Sequence, residues 1–147
     1  MKEIGVGILG FGTVGAGVAD GLLRHREVMA KRLGVDIALR RIADLDITTD
    51  RGVAVPEGIL TTDAASVVAD PSVQIVVETI GGTGIAKKFV LDALNAKKCV
   101  VTANKKLLAE YGREIFDTAD KNGVDIYFGA SVGGGIPIIR EIGRAHV

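Results

Sequence analysis

The stretch Ile4-Gly5-Val6-Gly7-Ile8-Leu9-Gly10-Phe11-Gly12-Thr13-Val14-Gly15 decides the fold of this chain. An apolar strand that ends in GxGxxG and runs into a helix is how dinucleotide-binding folds hold a pyrophosphate. In that reading Gly10 permits the tight turn. Gly12 has no side chain to keep the pyrophosphate off the backbone, and Gly15 lets the next helix pack close to the sheet. That helix starts with free backbone amides and the positive end of its dipole, so the phosphates need no lysine. Twenty glycines in 147 residues make chance matches to the pattern easy. Its position between strand and helix therefore carries the inference, against the competing reading of a plain turn with no ligand.

Working outward, apolar periodicity and breakers alternate strand with helix along the whole sequence. The first strand is about 2–9. A single helix follows, with Val14, Val18 and Leu22 at helical spacing and Val28, Met29 and Leu33 continuing it until Gly34 stops it. Residues 36–43 read as the second strand, with Asp44 at its carboxyl end, and the loop with Gly52, Pro56 and Gly58 shows no helical pattern. A short third strand near 59–61 precedes a short helix capped by Thr62 or Asp63 and ended by Asp70-Pro71. Residues 73–78 form the fourth strand, Gly81 to Gly84 a second glycine-rich turn, and a helix then reaches about Ala96. The fifth strand is 98–102, with Asn104-Lys105 at a helix start, a helix over 110–121 closed by Asn122-Gly123, and a sixth strand at 125–128. The predicted fold class is α/β, a Rossmann-type doubly wound parallel sheet with helices on both faces.

Composition narrows the function classes. Eighteen acidic residues balance eighteen basic ones, which gives no electrostatic support to a nucleic-acid or membrane partner. Valine- and isoleucine-rich runs suit strands covered on both faces. Cys99, the only cysteine, reads as a buried core residue in a reducing compartment and allows no disulfide framework. With no signal-peptide pattern and no apolar run of membrane-spanning length, the expected setting is soluble and cytoplasmic.

Ligands of such sheets bind outside the carboxyl ends of the strands. Five stretches are expected there: Gly10 to Gly15, Asp44, Thr79 to Gly82, Asn104-Lys105 and Gly129 to Gly135. A carboxylate at Asp44 can accept both hydroxyl hydrogen bonds of an adenosine ribose and repel the extra phosphate of NADP. Arg40 and Arg41 pull the other way if either guanidinium reaches the same pocket, so NAD and NADP both stay open, as does a solvated turn aspartate. Lys105, just after the fifth strand, is expected at the nicotinamide end, where an ammonium can bind a substrate carboxylate or take part in proton transfer. Glu78 is either a buried carboxylate bonded to backbone amides or a site residue. His25, between Arg24 and Arg26, reads as part of a solvated face, and nothing has metal-ligand spacing.

Taken together, the segments 8–15, Val77-Glu78-Thr79-Ile80-Gly81-Gly82, Val101-Thr102-Ala103-Asn104-Lys105-Lys106 and Ala130-Ser131-Val132-Gly133-Gly134-Gly135-Ile136-Pro137-Ile138-Ile139 resemble the amino-terminal half of homoserine dehydrogenases over about residues 2–141. The resemblance implies an enzyme that interconverts L-homoserine and L-aspartate 4-semialdehyde with NAD or NADP. Such an enzyme lies on the route from aspartate to threonine and methionine and acts on a small-molecule substrate as a homo-oligomer. By position it assigns Phe11, Gly12, Thr13, Val14 and Gly15 to the pyrophosphate; Gly10 and Asp44 are read as cofactor-binding from their places at the ends of the first and second strands. Thr79, Ile80 and Gly81 go to the nicotinamide side, and Lys105 to the substrate and its proton relay; Asn104, with Lys105 at the end of the fifth strand, is also expected to bind the cofactor. It also implies a sodium site made by the backbone carbonyls of Gly129, Val132, Gly134 and Ile136.

Two departures from the family pattern stand out. Gly129 occupies the place where the family commonly has a glutamate. The family's enzymes are also more than twice this long, with a substrate domain expected to begin after Pro137. The expected organisation is therefore an NAD(P)-binding domain over 1–136 and the start of a truncated substrate domain over 137–147. The stretch Ile142 to Val147 reads as foreign sequence, and the chain by itself is expected to bind the cofactor without turnover. The alternatives are another NAD(P)-dependent semialdehyde or amino-acid reductase and a freestanding dinucleotide-sensing module.

Overall fold

In a computed structural model that describes residues 1–128, the alternating pattern forms one six-stranded sheet. β1 (Lys2–Leu9) leads through α1 (Thr13–Arg24) and α2 (Arg26–Leu33) to β2 (Val35–Ala43), and a long loop reaches the short β3 (Leu60–Thr61). There follow α3 (Ala64–Ala69), β4 (Ile75–Glu78), α4 (Gly84–Asn95), β5 (Cys99–Thr102), α5 (Lys105–Asn122) and β6 (Ile126–Phe128). Every neighbouring pair is parallel, in the order β3-β2-β1-β4-β5-β6. The order reverses between β1 and β4, and in sheets of this kind that reversal opens a crevice at the carboxyl ends of the strands.

Strand residues alternate between two cores, because successive side chains leave a strand on opposite faces. Ile4, Val6, Ile8, Ile37, Ile75, Val77 and Val101 pack with Val18 and Leu22 of α1 on one face. Val76 and Val100 pack with Val67 of α3, Val90 and Leu94 of α4, and Leu107 and Ile115 of α5 on the other. Each large aliphatic side chain so buried contributes about 1.5–3 kcal/mol. That double covering is why the strands read as nearly continuous apolar runs.

The structure departs from the sequence reading at three places. The first helix is not continuous: it breaks at His25 (φ −106, ψ 16), which ends α1 and precedes α2. The break turns the last two turns toward β2, where Met29 is buried while Val28 faces solvent. Arg26 pins the new direction with two hydrogen bonds to the Asp36 carboxylate of β2, at 2.7 and 2.8 Å. The helix start at Asn104-Lys105 and the helix over 110–121 are one element, α5, kinked at Tyr111 (φ −130). Cys99 is half-buried and packs against the first core as a free thiol. Elsewhere the expected stops hold: Gly34 follows α2, Gly123 follows α5, and the Asp63 side chain caps α3 by accepting the Ser66 amide at 3.2 Å. Among the described residues no helix is long and apolar enough to cross a membrane.

Candidate functional site

The glycine loop lies at the switch point. Gly10 has φ +101, and a Cβ there would come within 2.6 Å of the Thr79 hydroxyl oxygen; a Cβ on Gly15 would stand 2.0 Å from the Gly10 carbonyl oxygen. Both glycines are therefore dictated by close approach and, at Gly10, by a left-handed backbone. Gly12 is different, because a Cβ there meets nothing within 4 Å. It precedes α1, whose amino end has no side-chain cap and no acidic residue in its first turn. Backbone donors at a helix start with open space before them form a cradle suited to an anionic group. Thr13 is exposed there, whereas Val14 is half-buried against the core and the Phe11 side chain lies inside it.

Three strands hold this loop in place. The Gly10 amide donates to the Ala43 carbonyl of β2 at 2.7 Å, and the Thr79 amide donates to the Leu9 carbonyl at 2.8 Å. The Thr79 hydroxyl lies 3.0 Å from the carbonyl oxygens of both Leu9 and Gly10. Asp44 is half-buried at the end of β2; its Oδ2 accepts the Phe11 amide at 2.5 Å and its Oδ1 the Asp46 amide at 2.8 Å.

Between the ends of β1, β2 and β4 opens a cleft of about 540 Å³, lined by Gly10, Gly12, Asp44, Leu45, Asp63, Thr79, Ile80, Ile85 and Phe89 among others. Leu45, Ile80 and Ile85 are exposed large apolar side chains, so the walls are largely apolar, with two acidic residues, Asp44 and Asp63, among them. A mostly apolar cleft with a few convergent polar groups is the usual form of a cofactor site. Arg40 and Arg41 do not reach it. Arg40 pairs with Glu3 near the amino end of β1, and Arg41 pairs with Asp70 at 3.3 Å and donates to the Gly58 carbonyl at 3.2 Å.

A second hollow of about 310 Å³ also reaches Gly12 and is lined by Thr13, Asp20, Arg51 and Val53 among others. Arg51 is a basic residue that the sequence reading did not single out. Asp46 holds it, with Oδ2 3.4 Å from a guanidinium nitrogen. The hydroxyl of Thr49, then the amides of Thr49 and Thr48, bond the Asp46 carboxylate and keep it well below the usual carboxylate range. The sequence signal was an Asp-x-Thr-Thr turn after the second strand, legible only as a loop.

On the other flank, Glu78 and Thr102 are register partners at the ends of β4 and β5, and both are buried. Glu78 Oε1 accepts the Thr102 hydroxyl at 2.5 Å and Oε2 accepts the Gly81 amide at 3.0 Å. Of its two sequence readings, the buried carboxylate bonded to a backbone amide is the one observed. Asn104 caps α5 by accepting the Leu107 amide at 3.0 Å, and its Nδ2 donates to the Gly82 carbonyl at 2.6 Å. Lys105 opens α5 as an exposed side chain with no ion-pair partner among the described residues. Four of the five expected stretches thus stand at the carboxyl ends of the strands. Gly129, Val132, Gly134 and Ile136 lie outside the described residues, as does the proposed boundary after residue 136. Among the described residues no cluster of three metal-ligating side chains occurs.

Comparison with known proteins agrees with this geometry. A homoserine dehydrogenase of Bacillus subtilis is 45% identical over 142 residues, covering 97% of this chain and 33% of that protein. The crystal structure of a homoserine dehydrogenase from Thiobacillus denitrificans superposes with a TM-score of 0.80 at 46% identity, over 96% of this chain and 32% of its own. One from Staphylococcus aureus gives 0.82 at 36% identity, over 89% and 34%. The chain thus spans about a third of the length of these relatives. Residues 10–129 match the pattern of the family described as the NAD-binding domain of homoserine dehydrogenase, and the chain belongs to that family.

Proposed function

We propose that the carboxyl edge of this sheet binds a nicotinamide dinucleotide and supplies the cofactor half of an enzyme interconverting L-homoserine and L-aspartate 4-semialdehyde. The observation that carries the reading is Gly12. It stands open at an uncapped helix start and lines two hollows, one shared with Arg51 and the other with Asp44. Gly12, Thr13 and Val14 present amides to the pyrophosphate, with Gly10, Phe11 and Gly15 shaping the turn and Arg51 adding positive charge. Asp44 serves the adenosine ribose. Thr79, Ile80, Gly81 and Asn104 flank the nicotinamide.

NAD or NADP, when bound, accepts or gives the hydride. Lys105 then binds the substrate carboxylate or passes the hydroxyl proton, a role suited to an ammonium at the mouth of the site. Sodium held by the carbonyls of Gly129, Val132, Gly134 and Ile136 is part of the same proposal. So are the homo-oligomeric state, the cytoplasmic setting and a substrate domain following residue 136. Small-molecule chemistry rather than a nucleic-acid or membrane partner also agrees with the balanced charge.

A chimera of residues 1–139 with the substrate domain of the Bacillus subtilis homoserine dehydrogenase tests the reading. Homoserine-dependent reduction of NAD or NADP is expected; a folded chimera that binds dinucleotide but does not oxidise homoserine refutes the substrate assignment.

A further inference from the structure

Glu78 is 1% exposed at the end of β4, and the cofactor reading above makes no use of its carboxylate. That carboxylate lies in a closed ring of hydrogen bonds. Oε1 accepts the Thr102 hydroxyl, and the Thr102 oxygen in turn accepts the Asn104 amide at 3.0 Å. Asn104 Nδ2 reaches the Gly82 carbonyl, and the Gly81 amide returns to Glu78 Oε2. Two loops from different strands are thereby fastened to one carboxylate.

The chemistry fits a carboxylate and not its amide. Two donors, a hydroxyl and a backbone amide, must each find an acceptor, and an ionised carboxylate offers two oxygens where glutamine offers one oxygen and an NH₂. The restrained turn needs restraint, since Gly81 and Gly82 both have positive φ (82 and 70) and can leave that conformation at little steric cost. At the other end of the ring, the Asn104 side chain caps α5 and fixes where Lys105, its first residue, begins.

We infer that Glu78 is a positioning residue: through Thr102 and Asn104 it locks the Gly81-Gly82 turn and the start of α5 into one wall, continuous in sequence with Thr79 and Ile80, which line the cleft. The inference rests on the cofactor reading given under Proposed function for what that wall faces, though the ring itself does not depend on a ligand.

The test uses the whole chain and its Glu78→Gln, Thr102→Val and Thr102→Ser variants. Amide hydrogen exchange reports the ring, and titration with NADH and with ADP-ribose, which lacks only the nicotinamide, reports the wall. Glu78→Gln is expected to speed exchange at Gly81 and Asn104 by about tenfold or more while leaving residues 10–15 unchanged. It should weaken NADH by about fivefold and ADP-ribose by less than about twofold, as lost orientation of one half of the ligand requires. Thr102→Val should repeat the effect at Asn104, and Thr102→Ser, which keeps the hydroxyl, should restore it. Should Glu78→Gln fail to fold, Thr102→Val decides by the same criteria. Exchange within about twofold of wild type at both amides overturns the inference, and so does an equal loss for both ligands, which marks a purely structural role. A wild-type chain that binds neither ligand refutes the cofactor reading instead, and the exchange result alone then decides for or against the ring.

Discussion

Asp44 and Phe11 are joined across the switch point by a 2.5 Å hydrogen bond from the Phe11 amide to the Asp44 carboxylate, thirty-three residues apart in sequence. The end of β2 thereby fixes the turn of the glycine loop, and the carboxylate stands on the rim of the cleft. Asp44→Ala removes both the bond and the charge. Loss of one hydrogen bond to a charged group is worth about 1.5–3 kcal/mol, so NADH affinity is expected to fall by about ten- to a hundredfold. Affinity for NADPH should fall less, because the charge that repels its extra phosphate is gone. Fluorescence titration with both cofactors measures the ratio, and a ratio equal to wild type removes Asp44 from the ribose site.

Gly15→Ala separates fold from binding. Its Cβ would lie 2.0 Å from the Gly10 carbonyl oxygen and 2.8 Å from the Thr79 hydroxyl oxygen, so α1 must move off the sheet. Overpacking of this kind costs about 1–3 kcal/mol, and a lowered Tm is expected in thermal unfolding even without ligand. An unchanged Tm contradicts the close helix-to-sheet contact.

Acid lability follows from Asp70. The hydroxyl and amide of Ser72, and more weakly Arg41, hold its carboxyl below its ordinary value of 3.8. A group whose pKa is lowered on folding contributes stability that is complete above its unfolded value and is lost as pH falls through the native one. Wild-type stability should therefore fall below about pH 4, and Asp70→Asn should flatten that limb while lowering the Tm at neutral pH. Parallel acid limbs for the two proteins, in Tm recorded between about pH 2 and 6, exclude Asp70 as a source.

On the proposed function, Lys105, exposed at the start of α5, serves chemistry rather than cofactor affinity. In the chimera with a homoserine dehydrogenase substrate domain, Lys105→Ala should lower kcat by about a hundredfold, within the usual range for a proton-transfer group, and leave the Kd for NADH nearly unchanged. A kcat within about twofold of the unsubstituted chimera, only some tenths of a kcal/mol in barrier, shows that Lys105 has no catalytic role.

How much of this was legible in the sequence depends on the range of the interaction. Periodicity reports burial, so the six strands, the glycine loop at the end of the first and the stops at Gly34 and Gly123 could all be read locally. The break at His25 could not. Leu22 before it and Met29 and Leu33 after it keep helical spacing, and the Arg26 to Asp36 pair that sets the new direction belongs to the tertiary fold. The same limit hid the site's polar wiring. The bonds from Phe11 to Asp44, from Thr102 to Glu78 and from Asn104 to Gly82 span 33, 24 and 22 residues, and no local pattern announces a partner at that distance. Arg40 and Arg41 illustrate the converse, since sequence proximity to Asp44 suggested a shared pocket. The partners of both lie away from it, Glu3 on β1 and Asp70 after α3.

The most direct test of the central claim is a titration of the chain with NADH and NADPH, beside its Gly12→Val variant. A Cβ at position 12 meets nothing within 4 Å, so the variant is expected to fold, with a Tm close to that of the wild type. The account predicts saturable binding of at least one dinucleotide by the wild type and none by Gly12→Val. Binding retained by the folded variant, or no binding of either cofactor by the wild type at millimolar concentration, contradicts it.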